Sequence, residues 1–154
     1  MESTIADQKQ YLSQLVAKLP GNKRLFEDVY KYAFELGKDS GAKELGYDVA
    51  VGTWRMVFQP PGWEWITVSG TNFLEEWLQY LEEKWPRSQQ KVEGKLVKVP
   101  KSISKDVWDQ TLRFAFHTLD DETLSFWNEY DAWNSNVDEF VEWYKAKSAM
   151  DVDR

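Results

Sequence analysis

Residues that could perform covalent chemistry are scarce among the 154 residues of this sequence. Cysteine is absent, which excludes thiolate nucleophiles, thioesters, thiolate metal sites and disulfides. The only histidine is His117, so neither a histidine-based triad nor a multi-histidine metal site can be assembled. We interpret His117 as a structural residue near a helix end, where a cationic ring is compatible with the helix dipole.

Carboxylates are plentiful, but they form no recognisable acid–base constellation. Pairs such as Asp120 with Asp121, or Glu75 with Glu76, are typical of solvated helix faces, because general acid catalysis requires a carboxyl group in apolar surroundings. The acidic stretch over residues 131–142 lacks the glycine that an EF-hand loop needs at its sixth place, and no glycine spacing matches a phosphate-binding loop. We therefore expect a non-catalytic protein without metal or cofactor. A small carboxylate enzyme is the least favoured alternative.

The formal charge of −7 is concentrated in the second half of the chain. Residues 102–143 contain ten acidic residues against two basic ones, Lys105 and Arg113. This balance argues against a nucleic-acid partner, because affinity for phosphate backbones depends on clustered lysine and arginine. A surface of one sign instead speeds the encounter with a basic partner protein.

Nine tryptophans allow two interpretations. Most of them fall at apolar positions of helical periodicity, which indicates core packing. They include Trp54, Trp77, Trp108, Trp127 and Trp143. Trp63 and Trp65 fit that interpretation least well. The alternative function is therefore an aromatic-rich module that binds a carbohydrate or another planar ligand through these two residues.

The elements that must position these residues are helices, and the pattern predicts an all-α fold, a compact bundle of five to six helices. The first helix follows the possible cap Thr4, and the next begins after Asn22. Later helices follow the caps Asp48, Thr71 or Asn72, and Ser104, and the last carries Val137, Phe140, Val141 and Tyr144.

Two segments interrupt the helical pattern. Residues 60–70 alternate like a short strand, but a single strand without a partner cannot form a stable sheet, so we interpret them as an ordered insert loop containing Trp63 and Trp65. Residues 87–101 form a lysine-rich arm, either an exposed linker or a hairpin. A short turn of helix is expected around Leu124, Phe126 and Trp127, and the residues from Met150 onward are expected to fray.

Length and composition favour one helical domain over residues 1–154, ordered from about residue 4 to about residue 148. The apolar content of 42% is sufficient for a buried core. No apolar run is long enough to span a bilayer, and the first ten residues do not match a secretory signal. We expect an intracellular protein without a membrane partner.

Several short motifs together resemble one protein family. They are Asp106-Val107-Trp108, Ala132-Trp133 and Asp138-Glu139-Phe140. Upstream, residues 26–30, 45–54 and 73–77 resemble the preceding helices of the same family in the same order. Over about residues 8–145 the chain is similar to the C-terminal part of the potentiating-neddylation domain, which defines the Dcn-type (defective in cullin neddylation) proteins.

The resemblance implies a scaffold-type E3 component in the cytoplasm and nucleus. Such a component holds the C-terminal winged-helix domain of a cullin beside the E2 that is charged with the ubiquitin-like modifier. In the family an Asp-Ala-Asp surface patch receives basic residues of the cullin, and it corresponds here to Asp106, Ala132 and Asp138. The alternative for the two aspartates is that each complements a helix dipole, which is worth well under about 1 kcal/mol.

A second implied site accepts the acetylated N-terminal methionine of the E2. Leu36, Thr53 and Met56 match one side of that pocket. The family's additional N-terminal, EF-hand-like lobe, which completes the pocket, is not matched by this sequence. We therefore expect E2 binding to be weaker or incomplete.

Overall fold

The computed structural model describes Asp7, Gln10, Gln14 and residues 22–60, 62–128, 130 and 133–152. The three isolated residues are helical and exposed, and the rest of the predicted first helix lies outside the described residues. The other elements in chain order are helices α1 (Lys23–Gly37), α2 (Tyr47–Val57) and α3 (Phe73–Lys84), strands β1 (Arg87–Val92) and β2 (Lys95–Pro100), and helices α4 (Lys105–Asp120) and α5 (Ser135–Val152).

Local capping chemistry explains where most of these helices begin. Asn22, Asn72 and Ser104 precede α1, α3 and α4, and each side-chain oxygen accepts a hydrogen bond from the backbone N–H three residues later. The predicted caps Asn72 and Ser104 are thus confirmed. Asp48 is not a cap, because α2 already begins at Tyr47 and Asp48 lies in its first turn.

The lysine-rich arm is an antiparallel hairpin, so the all-α prediction is wrong for this segment. Strands β1 and β2 pair from Arg87 opposite Pro100 to Val92 opposite Lys95. The two connecting residues, Glu93 and Gly94, have φ angles of 53° and 80°. Positive φ at both positions is the requirement of a two-residue turn that matches the twist of the strands, which is why glycine is favoured there.

The predicted insert loop is packed into the core, which corrects the interpretation of its tryptophans. Trp65 is fully buried, and its indole Nε1 donates to Thr118 Oγ1 at 2.8 Å. Trp63 is half-buried and lies against the rings of Phe26 and Phe116 at 5.8 and 5.5 Å. Because Trp65 has no exposed face, the two residues cannot form the stacking platform of the alternative function.

The centre of the core is a hydrogen-bonded stack of aromatic rings from α1, α2 and α4. Tyr30 stacks on Trp108, and Trp108 stacks on Trp54, at centroid distances of 4.4 and 5.0 Å. The Tyr30 hydroxyl donates to the Trp108 carbonyl at 2.6 Å and accepts from Trp54 Nε1 at 2.9 Å. Burial of these polar atoms is therefore compensated. Core packing of Trp54, Trp77 and Trp108 is confirmed. Trp127 and Trp143, which the pattern also assigns to the core, are only half-buried.

Two smaller predictions concern the C-terminal end. Leu124 has a φ angle of 63°, and residues 124–127 form a turn in which the Trp127 N–H donates to the Leu124 carbonyl at 3.1 Å. The expected turn of helix is therefore absent there. Helix α5 extends to Val152, beyond Met150 where the tail is expected to begin to fray, and that fraying stays a prediction. Residues 135–152 contain no glycine or proline that would end the helix earlier. Among the described helices, none has the length and apolarity to cross a membrane.

Candidate functional site

The candidate site lies where the first turns of α4 and α5 meet. The entry to α4 is fixed because the buried residue Ile103 exchanges two backbone hydrogen bonds with Leu45, at 2.7 and 2.9 Å. Asp106 in the first turn of α4 is exposed, and Asp138 in the first turn of α5 is half-buried. The sequence prediction named both residues, and the packing of α4 on α5 brings their helices together.

Asn134 links the two helix starts. Its side-chain Nδ2 donates to Asp106 Oδ2 across the helix pair. Its Oδ1 accepts from the backbone N–H of Asn136 at 2.8 Å, and its carbonyl accepts from the backbone N–H of Asp138 at 3.1 Å. One side chain thus caps α5 and orients a carboxylate on α4, so the relative position of the two acidic turns is determined.

Trp127 holds the second carboxylate. Its indole Nε1 donates to Asp138 Oδ1 at 2.9 Å. The Trp127 ring is half-buried, and the ammonium of Lys145 lies 4.8 Å from the ring centroid in a cation–π contact. Because an indole N–H is neutral, it fixes the direction of the carboxylate without cancelling its charge.

Trp133 anchors the segment between Trp127 and α5. It is 9% exposed and packs edge-on against Phe114 and His117, with the guanidinium of Arg113 4.5 Å above its ring. His117 lies in the last turn of α4 and stacks on Phe126, as a structural residue would. Ala132, the middle residue of the predicted patch, lies outside the described residues.

The charge of the two aspartates is not balanced within the part of the chain that the structure describes. The ion pairs found there join Lys38 to Glu35, Arg55 to Glu75 and Lys147 to Glu76. Asp106 and Asp138 instead accept from the neutral donors described above. Both carboxylates also lie at helix starts, where the backbone N–H groups form the positive end of the helix dipole. The site therefore presents two oriented negative charges to solvent.

Asp109, three residues after Asp106 on α4, behaves differently. Burial raises the pKa of its carboxyl group above the ordinary value, and the charges of Lys105 and Lys31 oppose that rise. Its Oδ1 is buried without a hydrogen-bond partner among the residues described. Asp109 is therefore a partly desolvated carboxylate rather than an extension of the outward-facing pair.

The three residues predicted to contact the E2 lie on α1 and α2. Thr53 and Met56 are three residues apart on α2 and share a helix face, and both are half-buried. The Thr53 hydroxyl donates to the Val49 carbonyl at 2.7 Å. Leu36 is half-buried near the end of α1, which packs beside the N-terminal part of α2, since a Cβ on Gly37 would approach Val49 to 3.1 Å. Leu36 thus lies toward the opposite end of α2 from Met56.

Sequence reasoning missed Asn134 and Trp127, the two residues that orient the carboxylates. Asn134 carried a usable signal, because asparagine immediately before an apolar helical pattern is a preferred cap. Trp127 carried none. Its hydrogen bond to Asp138 spans eleven residues and depends on the turn between α4 and α5.

The chain is similar in sequence to one protein family and to several curated proteins. The family described as "Cullin binding" matches residues 7–143. The chain is 34% identical to "Defective in cullin neddylation protein 1" of Pyricularia oryzae, over 95% of this chain and 52% of that protein. It is 31% identical to the protein of the same name in Saccharomyces cerevisiae, over 91% of this chain and 46% of that protein.

A mammalian relative, "DCN1-like protein 3" of Rattus norvegicus, is 31% identical over 83% of this chain and 36% of its own length. The chain spans about half the length of the curated fungal relatives it matches. The family match covers most of the sequence and includes both aspartates of the site. The chain belongs to the cullin-binding family.

Proposed function

We propose that this chain binds the C-terminal winged-helix domain of a cullin through Asp106 and Asp138 and thereby promotes cullin neddylation. The observation that carries the proposal is the pair of oriented carboxylates, each held by a neutral donor and neither in an ion pair with a described residue. Such charges are available to a basic partner, for which close opposite charges provide orientation and a fast encounter.

The relatives support the biological role. Proteins that are similar over most of this chain are named for defective cullin neddylation. In our proposal the chain contributes no reacting group, in keeping with the absence of cysteine from the sequence. It would act by proximity, holding the cullin lysine near the thioester of the charged E2. Binding then covers the entropic cost of bringing the two reactants together before the chemical step, which lowers the barrier. The predicted location in the cytoplasm and nucleus is part of the same proposal.

The contact with the E2 is the finer part of the proposal. Leu36, Thr53 and Met56 would form one side of the site for the acetylated E2 N-terminus, spread along α2 from its start beside Leu36 to Met56 near its end. A ligand side chain buried on one face gains about half of its transfer free energy of roughly 1.5–3 kcal/mol. We therefore expect the 154 residues alone to bind an acetylated E2 peptide about tenfold more weakly than a two-lobed relative binds it. Equal affinities in a calorimetric titration would contradict this part.

The test of the main proposal combines binding with reaction rate. The chain is titrated with a purified cullin winged-helix fragment, and cullin neddylation by a charged E2 is timed with and without the chain. We expect binding that weakens as salt rises and a faster reaction when the chain is present. Asp138→Lys should remove both effects, and Ala132→Arg should do the same if the family's Asp-Ala-Asp pattern transfers. Wild-type behaviour of both variants would refute the proposal.

A further inference from the structure

The β1–β2 hairpin is a basic arm on an acidic protein. Residues 87–101 carry five cations and one acid, Glu93, although the whole chain has a formal charge of −7. The cations are Arg87, Lys91, Lys95, Lys98 and Lys101. Arg87 is used locally, since its guanidinium donates to the Trp85 carbonyl at 3.0 Å. None of the four lysines forms an ion pair with any residue in the described ranges.

The arm is anchored firmly at its base and exposed beyond it. Trp85 is buried and its Nε1 donates to the Lys101 carbonyl at 2.7 Å, while the Lys101 N–H donates to the Pro86 carbonyl at 2.8 Å. All residues of β1 and the first four of β2 are exposed. An isolated two-stranded hairpin is only marginally stable in water, so a third strand would add substantially to its order.

Alternation along the strands gives the arm two distinct faces. One face, here called the valine face, carries Val92, Val97 and Val99 together with Ser88, Gln90 and Lys95. The other, the lysine face, carries Lys91 and Lys98 with Arg87, Gln89, Leu96 and Pro100. The base of the valine face lines a groove of about 670 Å³ that it shares with the start of α2 around Tyr47 and Val49.

Lysines alone are a common means of protecting a sheet edge from aggregation. The exposed aliphatic residues argue for a docking role instead. Val92, Leu96 and Val97 are 49%, 66% and 43% exposed. In the part of the chain that the structure describes, no backbone hydrogen bond reaches residues 95–98 from outside the hairpin. The outer edge of β2 is thus open. On the valine face β2 presents Val97 and Val99 beside Lys95, and on the lysine face it presents Lys98 beside Leu96.

We propose that the outer edge of β2 binds an extended segment of a partner protein in which aliphatic and acidic residues alternate. An added strand projects successive side chains to opposite faces of the sheet. Its aliphatic residues would meet Val97 and Val99. Its carboxylates would meet Lys98 on β2 directly and could be reached by the long side chain of Lys91 on β1, which lies on the same face. This surface shares no residue with the Asp106–Asp138 site, so the proposal is independent of the proposed function.

The test uses peptides that differ only in pattern. A labelled peptide of about ten residues with alternating valine and glutamate is titrated against the full chain, beside a peptide of identical composition with five valines followed by five glutamates. We expect the alternating peptide to bind at least about tenfold more tightly, because only it can place both residue types correctly. It should also slow amide exchange at residues 95–98.

Two variants assign the binding to the arm. Lys91→Glu with Lys98→Glu should weaken peptide binding by about tenfold or more, because attraction becomes repulsion. The matched control, Lys31→Glu with Lys43→Glu, changes the same charge at exposed positions elsewhere and should change the affinity less than about threefold. A short Gly-Ser turn in place of residues 87–100 should abolish peptide binding. It keeps the contact between Pro86 and Lys101, and it should leave binding of the cullin fragment intact.

Several results would overturn the proposal. One is equal affinity for the two peptides, and another is binding of the peptide by the hairpin-less variant. Tighter binding of a ten-base-pair DNA duplex than of the alternating peptide would instead identify the arm as a nucleic-acid contact.

Discussion

Two pairs of carboxylates at helix starts differ in the type of group that they contact. Glu75 and Glu76 in the first turn of α3 pair with cations of the same chain, Arg55 at 2.9 Å and Lys147 at 2.7 Å. Asp106 and Asp138 in the first turns of α4 and α5 accept hydrogen bonds from an amide and an indole. The first pair has its charge balanced internally, and the second does not.

The difference shows how a surface can be both ordered and available. A cation that pairs with a carboxylate competes with any partner for the same oxygens, whereas a neutral donor fixes one oxygen and leaves the charge in place. The α3 pair serves to connect α2, α3 and α5 within the fold. The pair on α4 and α5 has the properties required for recognition.

The largest expected effect separates the two pairs by charge reversal. Asp106→Lys should abolish binding of a cullin winged-helix fragment, because a like charge at a close contact costs several kcal/mol. Glu75→Lys makes the same change in the first turn of another helix and should leave this binding unchanged. Each variant should lower the free energy of unfolding by about 1 kcal/mol or less. Calorimetric titration and thermal melting measure the two quantities, and equal binding losses would remove the distinction.

The next effect concerns the asparagine caps. Asn134→Ala and Asn72→Ala should each destabilise the fold by about 1 kcal/mol, since each removes a side-chain acceptor at a helix start. Only Asn134→Ala also releases Asp106, so only this variant should weaken cullin binding, by about tenfold. Urea unfolding and the same titration provide the comparison. Weaker cullin binding by Asn72→Ala would show that general destabilisation, not orientation, is responsible.

A smaller effect is expected when the indole donor is removed. Trp127→Phe keeps an aromatic ring near Lys145 but cannot donate to Asp138. We expect about a three- to tenfold loss of cullin binding, as for one hydrogen bond to a partly exposed charge. Trp143→Phe is the control, because it changes a half-buried tryptophan on α5 whose contacts are with Tyr80 and Phe140 instead. Similar losses in both variants would contradict a specific role for Trp127.

The smallest expected effect is on the pH dependence of stability. Because burial raises the pKa of Asp109 in the folded state, the folded protein binds this proton more tightly than the unfolded chain does. Ionised Asp109 therefore destabilises the fold at neutral pH, and Asp109→Asn should raise the melting temperature there by about 1–3 °C. The difference in melting temperature between Asp109→Asn and the wild type should narrow as pH falls through the raised pKa. It should vanish below the pKa of an aspartate in the unfolded chain, about 3.9. A difference that grows on acidification would contradict burial as the cause.

Features determined by neighbouring residues could be predicted from the sequence. The caps Asn72 and Ser104 act on N–H groups three residues away, so the pattern alone identifies them. The prediction that Asp48 is a cap was wrong because an acidic residue is favoured both at a cap and in the first turn of a helix. The hairpin could be read from its alternation and its Glu93-Gly94 turn, but the helical remainder led to an all-α prediction.

Features determined by distant partners could not be predicted. The sequence around Trp65 suggested an exposed platform residue, because its burial depends on a hydrogen bond to Thr118, 53 residues away. The same holds for the site. The resemblance to the family identified Asp106 and Asp138, whereas the donors that orient them depend on how α4, α5 and the turn between them pack. Whether Ala132 completes the patch stays a prediction.

The aromatic stack at the centre of the core has a consequence for how the chain is made. Tyr30 and Trp108 exchange hydrogen bonds although they are 78 residues apart. At a synthesis rate of about 5–20 residues per second, Trp108 is added roughly 4–16 s after Tyr30. Phe140, which packs against Trp77 and Tyr80, follows later still. The nascent chain therefore carries uncovered aromatic rings until α5 emerges from the ribosome, and exposed apolar surface of this kind favours aggregation during that interval.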